Sequence, residues 1–89
     1  MTEYGIEVRV TPRRGILDPQ GKAVGGALSS LGFAGVGEVH VGRLIVFPLT
    51  AGSEAEAREK AEAMCRQLLA NPVTEDFAVT VGAPAGSAA

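Results

Sequence analysis

The single histidine, His40, and the single cysteine, Cys65, are the natural candidates for general acid–base and nucleophilic chemistry in this chain. A catalytic histidine needs a group that orients it and a proton to move. His40 stands alone, alternating onto the more polar side of its segment. Cys65 falls on the apolar stripe of a helical pattern with no histidine near it in sequence, and a reactive thiol needs help to become a thiolate. It reads as an inert buried thiol. One histidine and one cysteine also make no zinc or iron–sulfur spacing. The run Gly35-Val36-Gly37-Glu38-Val39-His40 begins like a dinucleotide-binding fingerprint, but the third glycine is absent and the run leads into a strand instead of out of one. Arg13-Arg14 ahead of a helix start could hold a small anion, yet Asp18 at that start places negative charge where the anion would sit. Glu54, Glu56, Glu59 and Glu62 lie on the outward face of a helix and pair with bases. No catalytic residue, cofactor site or metal site is assigned to the chain.

The elements around these residues are well signalled. Tyr4 to Val10 alternates, with Ile6, Val8 and Val10 on one face and Glu7 and Arg9 on the other, which predicts a half-buried strand. Turn residues Thr11 to Gly15 end it. Asp18 as N-cap and Pro19 at the first helical position open a helix carrying Val24, Leu28 and Leu31, and Gly32 closes it. Gly25 and Gly26 fall inside, each costing about 1 kcal/mol relative to alanine, so either a backbone packs close here or the helix is weak. Gly35 to Leu49 reads as a long strand with a bend or bulge at Gly42. Ser53 and Glu56 form a capping box for a second helix, with Ala57, Ala61, Met64, Cys65, Leu68 and Leu69 as its apolar stripe. Glu54/Arg58, Glu56/Lys60 and Glu62/Arg66 are spaced as i,i+4 ion pairs. Asn71-Pro72 stops the helix, and Phe77 to Val81 forms the last strand.

The order β-α-β-α-β predicts an α+β domain over residues 1–82, with 83–89 as a disordered tail. Its simplest form has two helices on one face of a mostly antiparallel sheet, in ferredoxin-like style. The middle strand carries the most information. Val39, Val41, Ile45, Phe47 and Leu49 share one parity, while Leu44 and Val46 make the other parity apolar too. A strand apolar on both faces needs two covers, and the helices supply one. Arg43, Leu44, Ile45, Val46 and Phe47 are therefore the candidate subunit-interface residues, with Leu44 and Val46 the most exposed in an isolated chain.

Composition supports association. A chain of 89 residues buries a small core, and small domains recover stability from disulfides, metal or partners. Disulfide and metal are excluded by the residues present. The net charge of −2 and only three phenylalanines and one tyrosine argue against nucleic acid. No apolar run reaches the roughly 20 residues of a membrane span, and the free thiol and the missing signal peptide point to the cytoplasm.

Several segments carry a family likeness. Gly15-Ile16-Leu17-Asp18-Pro19-Gln20-Gly21-Lys22-Ala23-Val24, Val41-Gly42-Arg43 and Leu68-Leu69-Ala70-Asn71-Pro72-Val73 resemble the PurS family, with the likeness running from about Tyr4 to Val81. The chain departs from the family at Gly25-Gly26, His40 and Pro48. The resemblance implies the small, non-catalytic subunit of phosphoribosylformylglycinamidine synthase, in de novo purine biosynthesis. A glutaminase, PurQ, would release ammonia, and an ATP-dependent synthetase, PurL, would use it. The chain would bridge the two and assist ammonia transfer as a dimer, with a tetramer as the other option. The complex would use ATP, Mg and glutamine, with no cofactor bound by this chain. The alternative is a stand-alone ferredoxin-like regulatory domain that binds a small molecule.

Overall fold

The structure is a computed structural model that describes residues 1–84. Three strands and two helices follow in the expected order: β1 (Thr2–Pro12), α1 (Pro19–Ser30), β2 (Arg43–Ala51), α2 (Glu54–Met64) and β3 (Glu75–Pro84). The sheet order is β2-β1-β3, antiparallel throughout. This is the expected α+β, ferredoxin-like class. β3 runs to Pro84, past the expected boundary at 82, and residues 85–89 of the expected tail lie outside the described residues.

Register fixes the two faces. Val8 lies opposite Ile45 on β2 and Val79 on β3, and Ile6 lies opposite Phe47 and Val81. This face is the covered one: Ile6, Val8 and Val10 are fully buried against Ala51, Ala57, Ala61 and Cys65. Alanines at the helix contact let α2 approach the sheet closely, so a thin core closes without large side chains.

The topology explains why the two helices behave differently. β2 and β3 run parallel with β1 between them, so α2 must cross β1 to join them and it touches all three strands. β1 and β2 are antiparallel neighbours, so their connection leaves and rejoins the sheet at the same end, where Val10 pairs with Arg43. α1 is therefore free of the sheet. Among the described residues it has no comparable packing against any strand or against α2. The expected pair of helices on one face reduces to α2 alone, and the molecule is long and thin, 51 × 29 × 15 Å.

α1 is held by the segment that follows it. The Asp18 carboxylate accepts from the Gly21 amide at 2.9 Å, as an N-cap should, and its second oxygen accepts from the Val41 amide at 2.8 Å. Gly21 is the glycine where a backbone packs close: a Cβ there would stand 2.1 Å from the Val39 carbonyl oxygen. Gly26 has nothing within 4 Å, and Gly25 meets only ordinary contact with Val39. Gly32, at φ +91, closes the helix as predicted.

The expected long strand from Gly35 is shorter. Residues 35–42 serve α1 instead of β1, and pairing begins only at Arg43. Gly42 marks that boundary and is not a bulge within a strand; a Cβ there would lie 2.2 Å from the Val10 carbonyl oxygen.

α2 starts as predicted, with Ser53 Oγ accepting from the Glu56 amide at 3.1 Å. The Glu56 carboxylate reaches back to the Gly52 amide at 2.8 Å, one residue before the cap. Of the three expected ion pairs along it, Glu56–Lys60 forms at 3.3 Å, whereas Arg58 donates to the Val79 carbonyl. The helix then widens into a π-turn over Cys65–Leu69, closed by the Ala70 amide on the Cys65 carbonyl at 3.0 Å. The wider turn breaks the apolar stripe, leaving Leu68 exposed while Leu69 is half-buried.

Gly42→Ala forces a β-carbon into the β1 backbone and is expected to destabilise the fold by about 1–3 kcal/mol. At about 4–8 °C per kcal/mol for a domain of this size, thermal melts should show a clear drop. An unchanged Tm would contradict the close approach.

Candidate functional site

The sheet has one covered face and one open face. Val46 lies opposite Glu7, which pairs in turn with Thr80; Leu44 lies opposite Arg9, which pairs with Ala78. Leu44 and Val46 are 55% and 54% exposed, the most conspicuous apolar pair on the sheet. Beside them Arg9 reaches Glu7 at 3.7 Å and Thr80 Oγ1 at 3.5 Å, so a small charged and hydrogen-bonded row flanks the apolar stripe. Among the described residues the outer edge of β2 is unpaired, and Pro48 in that strand carries no amide donor.

The other candidate interface residues sit differently. Ile45 and Phe47 belong to the covered face and are half-buried. Phe47 also lines a shallow apolar groove of about 400 Å3 with Met64, Gln67, Leu68 and Leu69. Arg43 is engaged inside the chain. Its guanidinium grips both oxygens of Glu75, at 2.7 and 3.0 Å, and donates to the Leu69 carbonyl at 2.6 Å. Glu75 in turn accepts from the Asn71 amide at 2.8 Å. Arg43 thus ties the end of the π-turn to the start of β3, a bidentate arrangement that lysine could not reproduce. Spacing alone did not reveal this role, because Glu75 lies far along the chain.

The candidates for chemistry remain apart. His40 Nδ1 is 3.6 Å from Asp18 and Nε2 is 3.4 Å from Glu38, so each ring nitrogen faces a carboxylate. Cys65 lies under α2 in the core, where burial raises its thiol pKa and disfavours the thiolate. Arg13 points to Asp76 at 3.3 Å and to the Glu75 carbonyl at 3.4 Å, which commits it within the turn instead of to an anion. Among the described residues there is no cluster of three or more His, Cys, Asp or Glu side chains that could hold a metal ion. No helix among them is long and apolar enough to cross a membrane.

Comparison with known proteins names the family. The model for PurS, phosphoribosylformylglycinamidine (FGAM) synthase, matches residues 5–83. This chain belongs to the PurS family. The PurS subunit of the Synechocystis synthase is 40% identical over 84 residues, covering 94% of this chain and 84% of that one. The Methanocaldococcus jannaschii PurS subunit is 36% identical, covering 88% of this chain and 94% of its own length. Solved structures agree. Thermus thermophilus PurS superposes with a TM-score of 0.75 at 43% identity, over 88% of this chain and 95% of that one. A chain of the Thermotoga maritima PurLQS structure reaches a TM-score of 0.83 at 26% identity, over 91% of this chain and 99% of that one. The family match therefore spans nearly all of the described residues, α1 included.

Three carboxylates do structural work in this PurS-family fold, and all three are held below the ordinary carboxylate range. Backbone amides Gly21 and Val41 lower Asp18, the Gly52 amide and Lys60 lower Glu56, and Arg43 and the Asn71 amide lower Glu75. A lowered folded-state pKa means stability that is present above the unfolded value and lost as pH falls through the folded one. Thermal melts should be flat near neutrality and fall once pH drops below about 4. Glu75→Gln should be less stable already at pH 7 and fall less steeply in acid. Parallel wild-type and variant curves would contradict the role of Glu75.

Proposed function

We propose that this PurS-family chain bridges the glutaminase (PurQ) and ATP-dependent synthetase (PurL) subunits of phosphoribosylformylglycinamidine synthase. In this reading it assists ammonia transfer between them and performs no bond-making step itself. The observation that carries the reading is the family match over nearly the whole chain, joined to a relative that is part of a PurLQS structure. The physical need is independent of any family. Ammonia released into neutral water is protonated and loses its nucleophilic lone pair, so the two sites must be held in register and the route shielded from solvent. A thin scaffold with bare apolar surface suits that task. ATP, Mg and glutamine belong to the large subunits in this scheme, and the complex works in the cytoplasm, where Cys65 stays a thiol.

The open face also supports self-association. A second copy related by a two-fold axis would set Leu44 and Val46 against their own counterparts, with Glu7 of one copy meeting Arg9 of the other. A dimer built this way supplies the second cover that the sheet lacks. The alternative, a stand-alone small-molecule-binding domain, would use the groove of about 250 Å3 between α1 and residues 37–40. A thermal-shift series with amino acids and nucleotides separates the two, since the scaffold reading expects no response.

Reconstitution tests the main reading. Glutamine-dependent synthesis should require this chain, whereas synthesis with added ammonia should proceed largely without it. Equal glutamine-dependent rates with and without the chain would sink the proposal. Leu44→Glu or Val46→Glu should weaken self-association by roughly tenfold or more in sedimentation equilibrium, because an interface must then bury an unpaired charge. An unchanged association constant would remove this face as the contact.

A further inference from the structure

Residues 13–42 leave the sheet and return to it at one end, where both exits are pinned. The Arg13 amide donates to the Thr74 carbonyl at 2.9 Å, and Gly42 packs on the Val10 backbone. Between those points this arm, among the described residues, has no strand partner, and α1 makes no comparable packing with the sheet or α2. Its interior is slight. Gly21 is the one buried residue of α1, and Leu17, Leu31 and Phe33 are 71%, 73% and 59% exposed. A helix of 12 residues with glycines at Gly25 and Gly26 is marginal by itself.

One side chain closes the arm on itself. The two oxygens of Asp18 accept from Gly21 at the helix start and from Val41 at the far end of the excursion, 23 residues on. Gly21 leaves room for this bridge, since a Cβ there would crowd both Asp18 Oδ2 and the Val39 carbonyl. We propose that residues 13–42 form a separate cooperative unit, pinned by the Asp18 carboxylate, that opens and closes while the sheet and α2 stay folded. Units with few buried apolar contacts open at lower free energy than the core. The core strand β1 is buried on its covered face and paired on both edges, so the contrast within one small chain is large. A PurS-family subunit built this way presents a firm sheet and an adaptable arm to its surroundings.

Hydrogen exchange on the full chain, read residue by residue, tests the proposal. α1 amides should exchange much faster than the central β1 amides. Asp18→Asn keeps one oxygen to cap Gly21 but cannot also accept from Val41. It should speed α1 exchange by at least about tenfold and leave β1 unchanged. Gly26→Ala adds a methyl where nothing lies within 4 Å and should slow α1 exchange about fivefold, again without effect on β1. Wild-type α1 and β1 exchanging together, or both accelerating equally in Asp18→Asn, would overturn the proposal.

Discussion

Everything in this structure follows from a sheet of three strands that receives a helix on one face only. A connection between parallel strands must cross the sheet, and β2 and β3 are parallel, so α2 is committed to the covered face. A connection between antiparallel neighbours has no such duty, and α1 stands clear. The core is consequently narrow, built from Ile6, Val8 and Val10 under small residues of α2. Leu44 and Val46 are left on the far side of the sheet with no cover among the described residues. A protein of this size cannot bury both faces of its sheet alone, and its membership of a multi-subunit enzyme family is the counterpart of that shortage.

Polar residues supply the definition that a thin core cannot. Arg43, Glu75 and the Leu69 and Asn71 backbones lock the π-turn to the start of β3. Asp18 does the same for the arm, and Glu56 for the start of α2. In each case one charged side chain satisfies backbone groups that regular structure leaves open, which is the efficient use of a carboxylate or guanidinium near the surface. The segments that carry the family likeness contain several of these residues. Asp18 and Gly21 lie in the first, Arg43 in the second and Asn71 in the third.

Much of this was legible in the residues. Alternation at Ile6, Val8 and Val10 revealed the central strand, and the Asp18-Pro19 and Ser53/Glu56 signals placed both helix starts. The two-sided apolar character of Leu44 to Phe47 revealed a strand short of one cover. Other features escaped because they depend on contacts distant in sequence. The segment from Gly35 to Gly42 has a strand's alternation, but its Val41 amide answers to Asp18 and pairing with β1 begins only at Arg43. Arg43 also grips Glu75, a partner far along the chain that spacing does not reveal. The placement of α1 was hidden because residue patterns reveal which elements form, whereas strand order decides which helix must cross the sheet. The π-turn left no periodic signal either, since one widened turn shifts Leu68 outward without changing any residue type.

The central claim is that the face carrying Leu44 and Val46 is bare in the single chain and covered in the assembled enzyme. Side-chain footprinting with a photoactivated carbene measures this directly, by comparing labelling of the dilute chain with that of the proposed complex with a glutaminase and a synthetase. Strong protection of Leu44 and Val46 on assembly, with the buried Ile6 and Val8 unlabelled in both states, is the result expected. Equal labelling of Leu44 and Val46 in both states would contradict the account.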